Sequence, residues 1–392
     1  MATFRLDISP SVLRWARMRA GLDLNDFKGQ LKNYPRWEEG DLNPTFRQLE
    51  AVSSKTRTPL GYFFLTEPPE ESIPIHDYRT MDEKSVRKPS ADLIDTVYDL
   101  IRRQDWLRDY RESKGMQPLP FVGSASVEDT PDSVAESILA TLGLSTEWAL
   151  NIPKSGDPRR LLKTSAESIG IVVVINGVVG NNTQRKLDPE EFRGFVLSDS
   201  LAPFLFVNGS DARSAQIFTL AHELGHIWID QDGIPDIDYL TLPESKTERF
   251  CNEVAAELTV PKSVLVKIWE TRSDSPQPFD ELATVFKVSP VVVARRALEI
   301  ALIDEEHFFS FYSDYRERYE ASLVQSGDDL ASDSSGGGDF YMNQGYRVGK
   351  GFFTAVAEAV KSGQLMYRDA YRLTGLKANT FEKYASRLGY SL

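Results

Sequence analysis

The stretch FTLAHELGHIWI, from Phe218 to Ile229, carries two histidines in an otherwise apolar segment. Its apolar residues recur at helical spacing, which predicts a buried helix. His222 and His226 are four residues apart, so both rings project from one face of that helix and can bind one tetrahedral metal ion. The chain has only four histidines in 392 residues, and two of them therefore mark this helix as a candidate metal site.

Glu223 directly follows the first histidine, as in the pattern His-Glu-x-x-His of zinc peptidases. A bound zinc lowers the pKa of its water to about 7. The Glu223 carboxylate can then take a proton from that water and later pass it to the leaving amine. The alternative is a buried apolar helix with incidental polar residues, and the motif in its context favours the metal site.

A catalytic zinc needs a third protein ligand and an open fourth position. The only cysteine, Cys251, is interpreted as a small buried residue, so the ligand must be a His, Asp or Glu. The next predicted helix offers Glu248, Glu253 and Glu257. Asn252 follows Glu248 by four residues, and its amide can orient a ligand. Since Ser245 and Glu248 also form a capping-box sequence, Glu248 has two competing roles.

Composition limits the class of protein. The formal net charge is −13, from 45 basic and 58 acidic residues, which weakens a nucleic-acid-binding role for the whole surface but not for a local basic patch. A single cysteine indicates a reducing compartment. The N-terminus has no apolar signal core, and no apolar run is long enough to cross a membrane. These features predict a cytoplasmic protein.

Strand and helix patterns place the motif in an α+β domain. Three strand-like runs, IGIVVVI, FRGFVLS and APFLFVNG, precede the motif helix, and the helix KTERFCNEVAAEL follows it after a loop. Strands followed by paired helices are typical of α+β domains. Residues 279–297 fit a helix-turn-helix pattern, and residues 367–388 resemble one weakly.

The run FRGFVLSDSLAPFLFVNGSDARSAQIFTLAHELGHIWI, followed by ERFCNEVAAELTVP, resembles the ImmA/IrrE metallopeptidases. The resemblance is close over residues 189–261 and looser over most of the chain, because a longer branch of that family carries an N-terminal repressor-like helix-turn-helix. It implies a zincin-type domain with His222 and His226 as zinc ligands and Glu223 as general base. It also implies that Glu248 is the third ligand and that the Asn252 amide holds a ligand in place by hydrogen bonding.

The resemblance also implies an activity. Members of the family cut helix-turn-helix repressors and so switch on genes for mobile-element transfer or stress responses, and long forms occur in modules that resemble toxin–antitoxin pairs. It therefore implies a zinc endopeptidase whose protein substrate is a helix-turn-helix repressor or a toxin or antitoxin partner. The alternative is a DNA-binding transcriptional regulator, or an antitoxin-like component, with an idle or structural zinc site.

In sum, the patterns and the resemblance predict a mostly helical α+β fold, with a zincin-like peptidase domain flanked by helix-turn-helix-like modules. The predicted segments are a degenerate repressor-like module (1–66), an extended linker and long helix (67–125), the peptidase domain with its small sheet (126–270), a helix-turn-helix-like module (271–325), a flexible Gly/Ser/Asp loop (326–339) and a C-terminal helical module (340–392).

Two details of this organisation bear on partners. Only four residues separate DFKGQLK from Trp37, where repressors have about eight, and Pro35 interrupts them. The first recognition helix is thus predicted to be shortened or lost, which leaves DNA binding and protein docking both open. In zincins the substrate lies along an edge strand, for which residues 193–198, RGFVLS, are the candidate; the alternative is an ordinary core strand.

Overall fold

The computed structural model describes residues 4–29, 31–77, 89–153, 156–235, 245–326 and 340–391. The chain divides into two compact units. The first comprises Met1–Pro74 and Arg87–Val97, and the second comprises Ile75–Val86 and Tyr98–Leu392. The predicted flexible loop, 326–339, lies outside the described residues except for its first residue.

The first unit is helical. It contains α1 (Pro10–Arg19), α2 (Tyr34–Glu38) and α3 (Phe46–Thr56), with 3-10 turns at Leu24–Phe27 and Leu60–Phe64. Aromatic packing holds its core, since the rings of Phe27 and Tyr34 stack 3.8 Å apart. Helix α2 has five residues with Pro35 in its first turn, and this short helix lies where the sequence predicts a shortened recognition helix.

A small mixed sheet lies in the second unit. Strands β1 (Val172–Asn176), β2 (Gly194–Leu197) and β3 (Phe204–Asn208) pair in the order β1-β3-β2. β1 runs parallel to β3, with Val174 opposite Phe206, whereas β2 runs antiparallel to β3. All three strands are buried along their length, as expected for apolar runs covered on both faces.

Helices make up most of the second unit, which confirms the predicted mostly helical α+β class. A long helix, α4 (Ala91–Ser113), begins in the first unit and continues into the second. The remaining helices are α5 (Pro131–Leu142), α6 (Pro158–Ser168), α7 (Arg213–Trp228), α8 (Lys246–Thr259), α9 (Lys262–Arg272), α10 (Pro278–Phe286), α11 (Pro290–Glu299), α12 (Glu305–Ser326), α13 (Phe340–Val348), α14 (Lys350–Lys361), α15 (Tyr367–Thr374) and α16 (Ala378–Arg387).

Helix α7 lies at the centre of this unit. Every residue from Ala215 to Trp228 is buried, which fits a helix that is apolar on all sides. It packs against α8, and it also lies against β2 and β3. Helix α8 begins after Ser245, whose hydroxyl accepts from the backbone N–H of Glu248, and it ends two residues before Pro261. The polar residues of the α7 motif are therefore enclosed between a helix and a sheet.

Candidate metal centre

Helices α7 and α8 bring the predicted ligands together. A turn of α7 carries His222 and His226, and the first turn of α8 carries Glu248. The helices approach closely at Gly225, where an added Cβ would lie 3.4 Å from the Sγ of Cys251. Cys251 thus fills the contact between the helices as a buried free thiol, while Glu248, one turn before it, faces the two histidines.

Three ligand side chains converge in this contact. The Nε2 atoms of His222 and His226 are 3.0 Å apart, and the Glu248 oxygens lie 3.3 Å from the first and 3.1 Å from the second. All three side chains are completely buried. Ligand bonds of roughly 2.0–2.1 Å around a tetrahedral zinc place neighbouring ligand atoms about 3.3 Å apart. The group can therefore hold a metal ion.

The surroundings of His222 direct its lone pair into the group. Its Nδ1–H donates to the Oδ1 of Asn252, at 2.9 Å, so Nε2 carries the lone pair. Asn252 lies one turn beyond Glu248 on α8 and holds the ring from behind, as ligand-orienting groups do in metal sites.

The carboxylate of Glu248 is ionised. Burial on its own raises the pKa of this carboxyl, but the contacts with His222 and His226 outweigh burial and hold the pKa at about 2. Neither oxygen has an aligned hydrogen-bond donor among the described residues. A charged, buried carboxylate in this state calls for a cation beside it.

The geometry also separates the two roles that the sequence left open for Glu248. Its backbone N–H donates to the Ser245 hydroxyl at 3.4 Å, which is one half of a capping box. Its side chain turns away from the helix end and faces the histidines. The cap therefore uses the backbone of Glu248, and the carboxylate is left for the metal group.

Glu223 lies beside this group with a different environment. It is completely buried, and neither of its oxygens has a hydrogen-bond partner among the described residues. Burial raises the pKa of Glu223 well above its usual value, and the nearby Glu248 adds to the shift. A carboxyl of this kind exchanges a proton near neutral pH more readily than an exposed one.

A glycine that the sequence did not single out makes room for Glu223. An added Cβ at Gly194 of β2 would lie 2.8 Å from the Oε1 of Glu223 and 2.6 Å from the side chain of Thr219. Strand β2 can cross over the carboxylate only because this position lacks a side chain. The one available signal was a glycine inside a strand pattern, which often marks a close approach.

Residues 166–298 match the family model of the IrrE N-terminal-like domain. The match extends from the end of α6 to α11 and includes His222, Glu223, His226 and Glu248. It is a peptidase family, so the match points to a metallopeptidase, in agreement with the resemblance seen in the sequence. Residues 348–387 match a domain of unknown function (DUF8813). No curated protein matches the chain.

The IrrE-like domain uses β2 as the last strand of its sheet, and part of its outer side is already paired. Val196 exchanges two backbone hydrogen bonds with Gly233, at 3.3 and 3.4 Å, and the N–H of Ile234 donates to the carbonyl of His76 at 2.9 Å. The candidate edge strand 193–198 is thus bordered by another segment of the chain at Val196. Among the described residues, no such bridge borders the Gly194 end of β2, which lies next to Glu223.

The other two histidines of the chain lie outside this site. The side chains of His76 and His307 are exposed, and neither joins the metal-ligating group formed by the described residues. No helix in the described ranges combines the length and the apolar character that a membrane span requires.

Proposed function

We propose that the protein is a zinc-dependent endopeptidase that cleaves a regulatory protein. His222, His226 and Glu248 bind the zinc, and Glu223 is the general base. One observation carries this proposal: the ligand groups of three buried side chains approach one another pairwise at 3.0–3.3 Å, next to a buried carboxylate that has no partner among the described residues.

The donor set supports zinc. Two imidazoles and one carboxylate form the ligand set of catalytic zinc sites that keep an open position for water or substrate, whereas structural zinc sites are closed by four protein ligands. When bound, zinc supplies a Lewis acid that acidifies water and polarises the scissile carbonyl.

The residues of the chain perform the proton transfers. Glu223 takes a proton from the attacking water and delivers it to the amide nitrogen, so that the C–N bond breaks and a neutral amine leaves. Asn252 keeps the His222 ring in one tautomer. Gly194 allows Glu223 to reach the cleavage position beneath β2, where the substrate backbone pairs with the free end of the strand.

The exposed surface of the first unit favours a protein partner over DNA. In α2 the aromatic residues are buried, and Arg36 is its one exposed residue, so this helix offers little to a DNA groove. Large apolar side chains of the unit are exposed instead, and such surfaces mark protein contacts. They are Phe4, Met18, Leu24, Phe46, Tyr62, Phe64 and Leu65. We propose that this unit docks a helix-turn-helix repressor or a toxin or antitoxin partner in the cytoplasm.

The test compares two isosteric substitutions. The wild-type protein, Glu223→Gln and the control Glu253→Gln, which changes an exposed acid on α8, are loaded with zinc. Each is incubated with the helix-turn-helix proteins of the source genome, beginning with any that a neighbouring gene encodes, until one is cleaved by the wild type. We expect wild type and control to cleave it, and Glu223→Gln to be slower by on the order of 100- to 10,000-fold, the usual contribution of a general base. Undiminished cleavage by Glu223→Gln would overturn the proposal.

A further inference from the structure

The C-terminal part of the chain forms a three-helix unit with its own aromatic core. Phe353 of α14 contacts Phe381 and Tyr384 of α16, with ring centroids 5.0 and 4.4 Å apart. Tyr371 of α15 meets Phe381 edge-on at 5.5 Å. These three helices span residues 350–387 and coincide with the matched domain of unknown function. These ring contacts fix the three helices against one another and so define the outer surface of the unit.

The connection between α15 and α16 is a helix-turn-helix. Three residues separate the helices, and the first of them, Gly375, is left-handed with φ of 68°. A short turn containing glycine is the usual connection in this motif. Leu376 in the turn is buried and fixes the second helix against the first.

Helix α16 presents its outer face to solvent. Phe381, Tyr384 and Ala385 point inward and are buried. The opposite face is exposed and consists of Ala378, Asn379, Glu382, Lys383 and Ser386, while Arg387 at its border lies over the ring of Tyr341. A helix of ten residues is about 15 Å long, and a face of this length enters a major groove about 12 Å wide.

The charge of the unit is opposite to that of the chain. Residues 348–387 contain seven basic and three acidic residues, a net charge of +4, whereas the whole chain carries −13. Arg372, Lys377 and Lys383 are exposed. A local excess of positive charge on a helix-turn-helix is the electrostatic pattern of DNA binding.

A second helix-turn-helix in the chain shows that a short turn with a left-handed residue does not by itself indicate DNA binding. Helices α10 and α11 are also joined by three residues, with Lys287 left-handed at φ of 64°. Yet six of the ten residues of α11 are buried, and its Arg296 is paired with Glu257 and donates to the carbonyl of Val260. Helices α10 and α11 belong to the main hydrophobic core, and α11 exposes less of its surface than α16 does.

We propose that α14–α16 bind duplex DNA, with α16 in the major groove. Asn379 is the second residue of α16, in the part of a recognition helix that reaches base edges, and Lys383 lies one turn further along the same exposed face. An asparagine at this place recognises adenine through two hydrogen bonds. Arg372 and Lys377 bind phosphates on either side. This activity is independent of the zinc site, and it delivers the peptidase to the DNA on which a repressor sits.

Fluorescence anisotropy of the full chain tests the proposal, with a labelled random-sequence duplex of about 20 base pairs, two helical turns. Since each phosphate contact contributes about −0.9 to the slope of log K against log salt, Arg372→Gln and Lys377→Gln should each reduce that slope by about 1. Arg36→Gln and Lys287→Gln remove the same charge from the other two helix-turn-helix-like units, and these controls should leave the slope unchanged.

Selection from a random duplex library separates base recognition from charge. We expect the wild-type protein to enrich a sequence, and Asn379→Ala to lose the preference for it while random-duplex affinity stays within about 3-fold, since asparagine contributes no phosphate charge. Absence of DNA binding at roughly 10⁻⁴ M protein in low salt, or equal effects of the control substitutions, would overturn the proposal. So would the finding that Arg372→Gln and Lys377→Gln weaken capture of the protein substrate and not of DNA.

Discussion

Two of the three acidic residues of helix α8, Glu248 and Glu257, have different surroundings. Near its C-terminal end, Glu257 pairs with Arg296 of α11 and accepts from the backbone N–H of Lys262 at 3.2 Å. Near its N-terminal end, Glu248 lies against two histidines without an aligned donor. The first carboxylate is matched by a cation and by a backbone donor, whereas the second is matched by neither among the described residues.

These different surroundings distinguish a structural ion pair, at Glu257, from a candidate metal-binding site, at Glu248. A buried carboxylate without a counter-charge costs several kcal/mol, and here Glu223 and Glu248 are enclosed together. A divalent cation neutralises both carboxylates, while the Glu257–Arg296 pair is neutral already. Burial alone therefore says little about function, and the unmatched charge at one end of α8 is the informative feature.

The largest difference between Glu248 and Glu257 should appear when each is replaced by glutamine. Orienting residues behind a ligand contribute 10- to 100-fold to affinity or activity, so loss of the ligand itself in Glu248→Gln should reduce cleavage on the order of 1000-fold. Glu257→Gln should leave cleavage unchanged and lower the free energy of unfolding by about 1–2 kcal/mol, because its pair is partly exposed. Cleavage assays and urea denaturation measure the two effects, and equal loss of cleavage in both variants would remove the distinction.

Gly194→Ala should disable the base and spare the metal group. The added methyl would overlap Glu223 and Thr219, and a misplacement of about 1 Å can slow catalysis by roughly 100-fold. We expect that loss in cleavage with zinc content unaltered. Gly61→Ala, at a position where a Cβ meets open space, is the matched control and should cleave normally. If Gly194→Ala cleaves at the wild-type rate, strand β2 does not position the base.

Asn252→Ala should weaken zinc binding by about 10- to 100-fold, because the His222 ring loses the acceptor that fixes its tautomer. Competition with a fluorescent chelator measures this affinity. Asn252→Asp keeps an acceptor at the same place and should restore most of the binding. Unchanged affinity in Asn252→Ala would show that the 2.9 Å contact is not needed.

The smallest expected effect is the pH dependence of the free energy of unfolding of the protein in EDTA. The pKa of Glu223 is raised above its usual value of 4.5 by burial and by Glu248. A raised pKa in the folded state means that its stabilising contribution is complete below about pH 4.5 and is lost as pH rises through the folded pKa. Glu223→Gln should therefore gain stability over wild type as pH rises above about 4.5. Urea denaturation in EDTA measures this difference, and a constant difference would contradict it.

The sequence predicted the elements of the site better than their contacts. Periodicity was sufficient for α7 and α8 and for the three strands, because α7 and the strands are strongly apolar and α8 has a regular apolar face. The direction of the Glu248 side chain depends on how α8 crosses α7 at Gly225, and the role of Gly194 depends on a strand that passes over Glu223 from elsewhere in the chain. Both are tertiary contacts, which local patterns do not specify.

The helix-turn-helix-like units show the same limit. In the sequence, residues 279–297 have the clearer pattern and residues 367–388 the weaker one. In the structure the clearer unit is buried in the peptidase core, and the weaker unit exposes its second helix. A second helix that is buried on several sides is apolar, and it therefore produces a strong sequence pattern. Here the unit with the stronger sequence pattern is the one whose second helix is less exposed.

The most direct test of the central claim is the zinc content of purified protein, measured by mass spectrometry after dialysis. We predict one zinc per chain in the wild-type protein, in Glu223→Gln and in Glu257→Gln, and a clear loss in Glu248→Gln. A wild-type protein without zinc, or a Glu248→Gln variant that retains zinc as the wild type does, would contradict a metal site built on His222, His226 and Glu248.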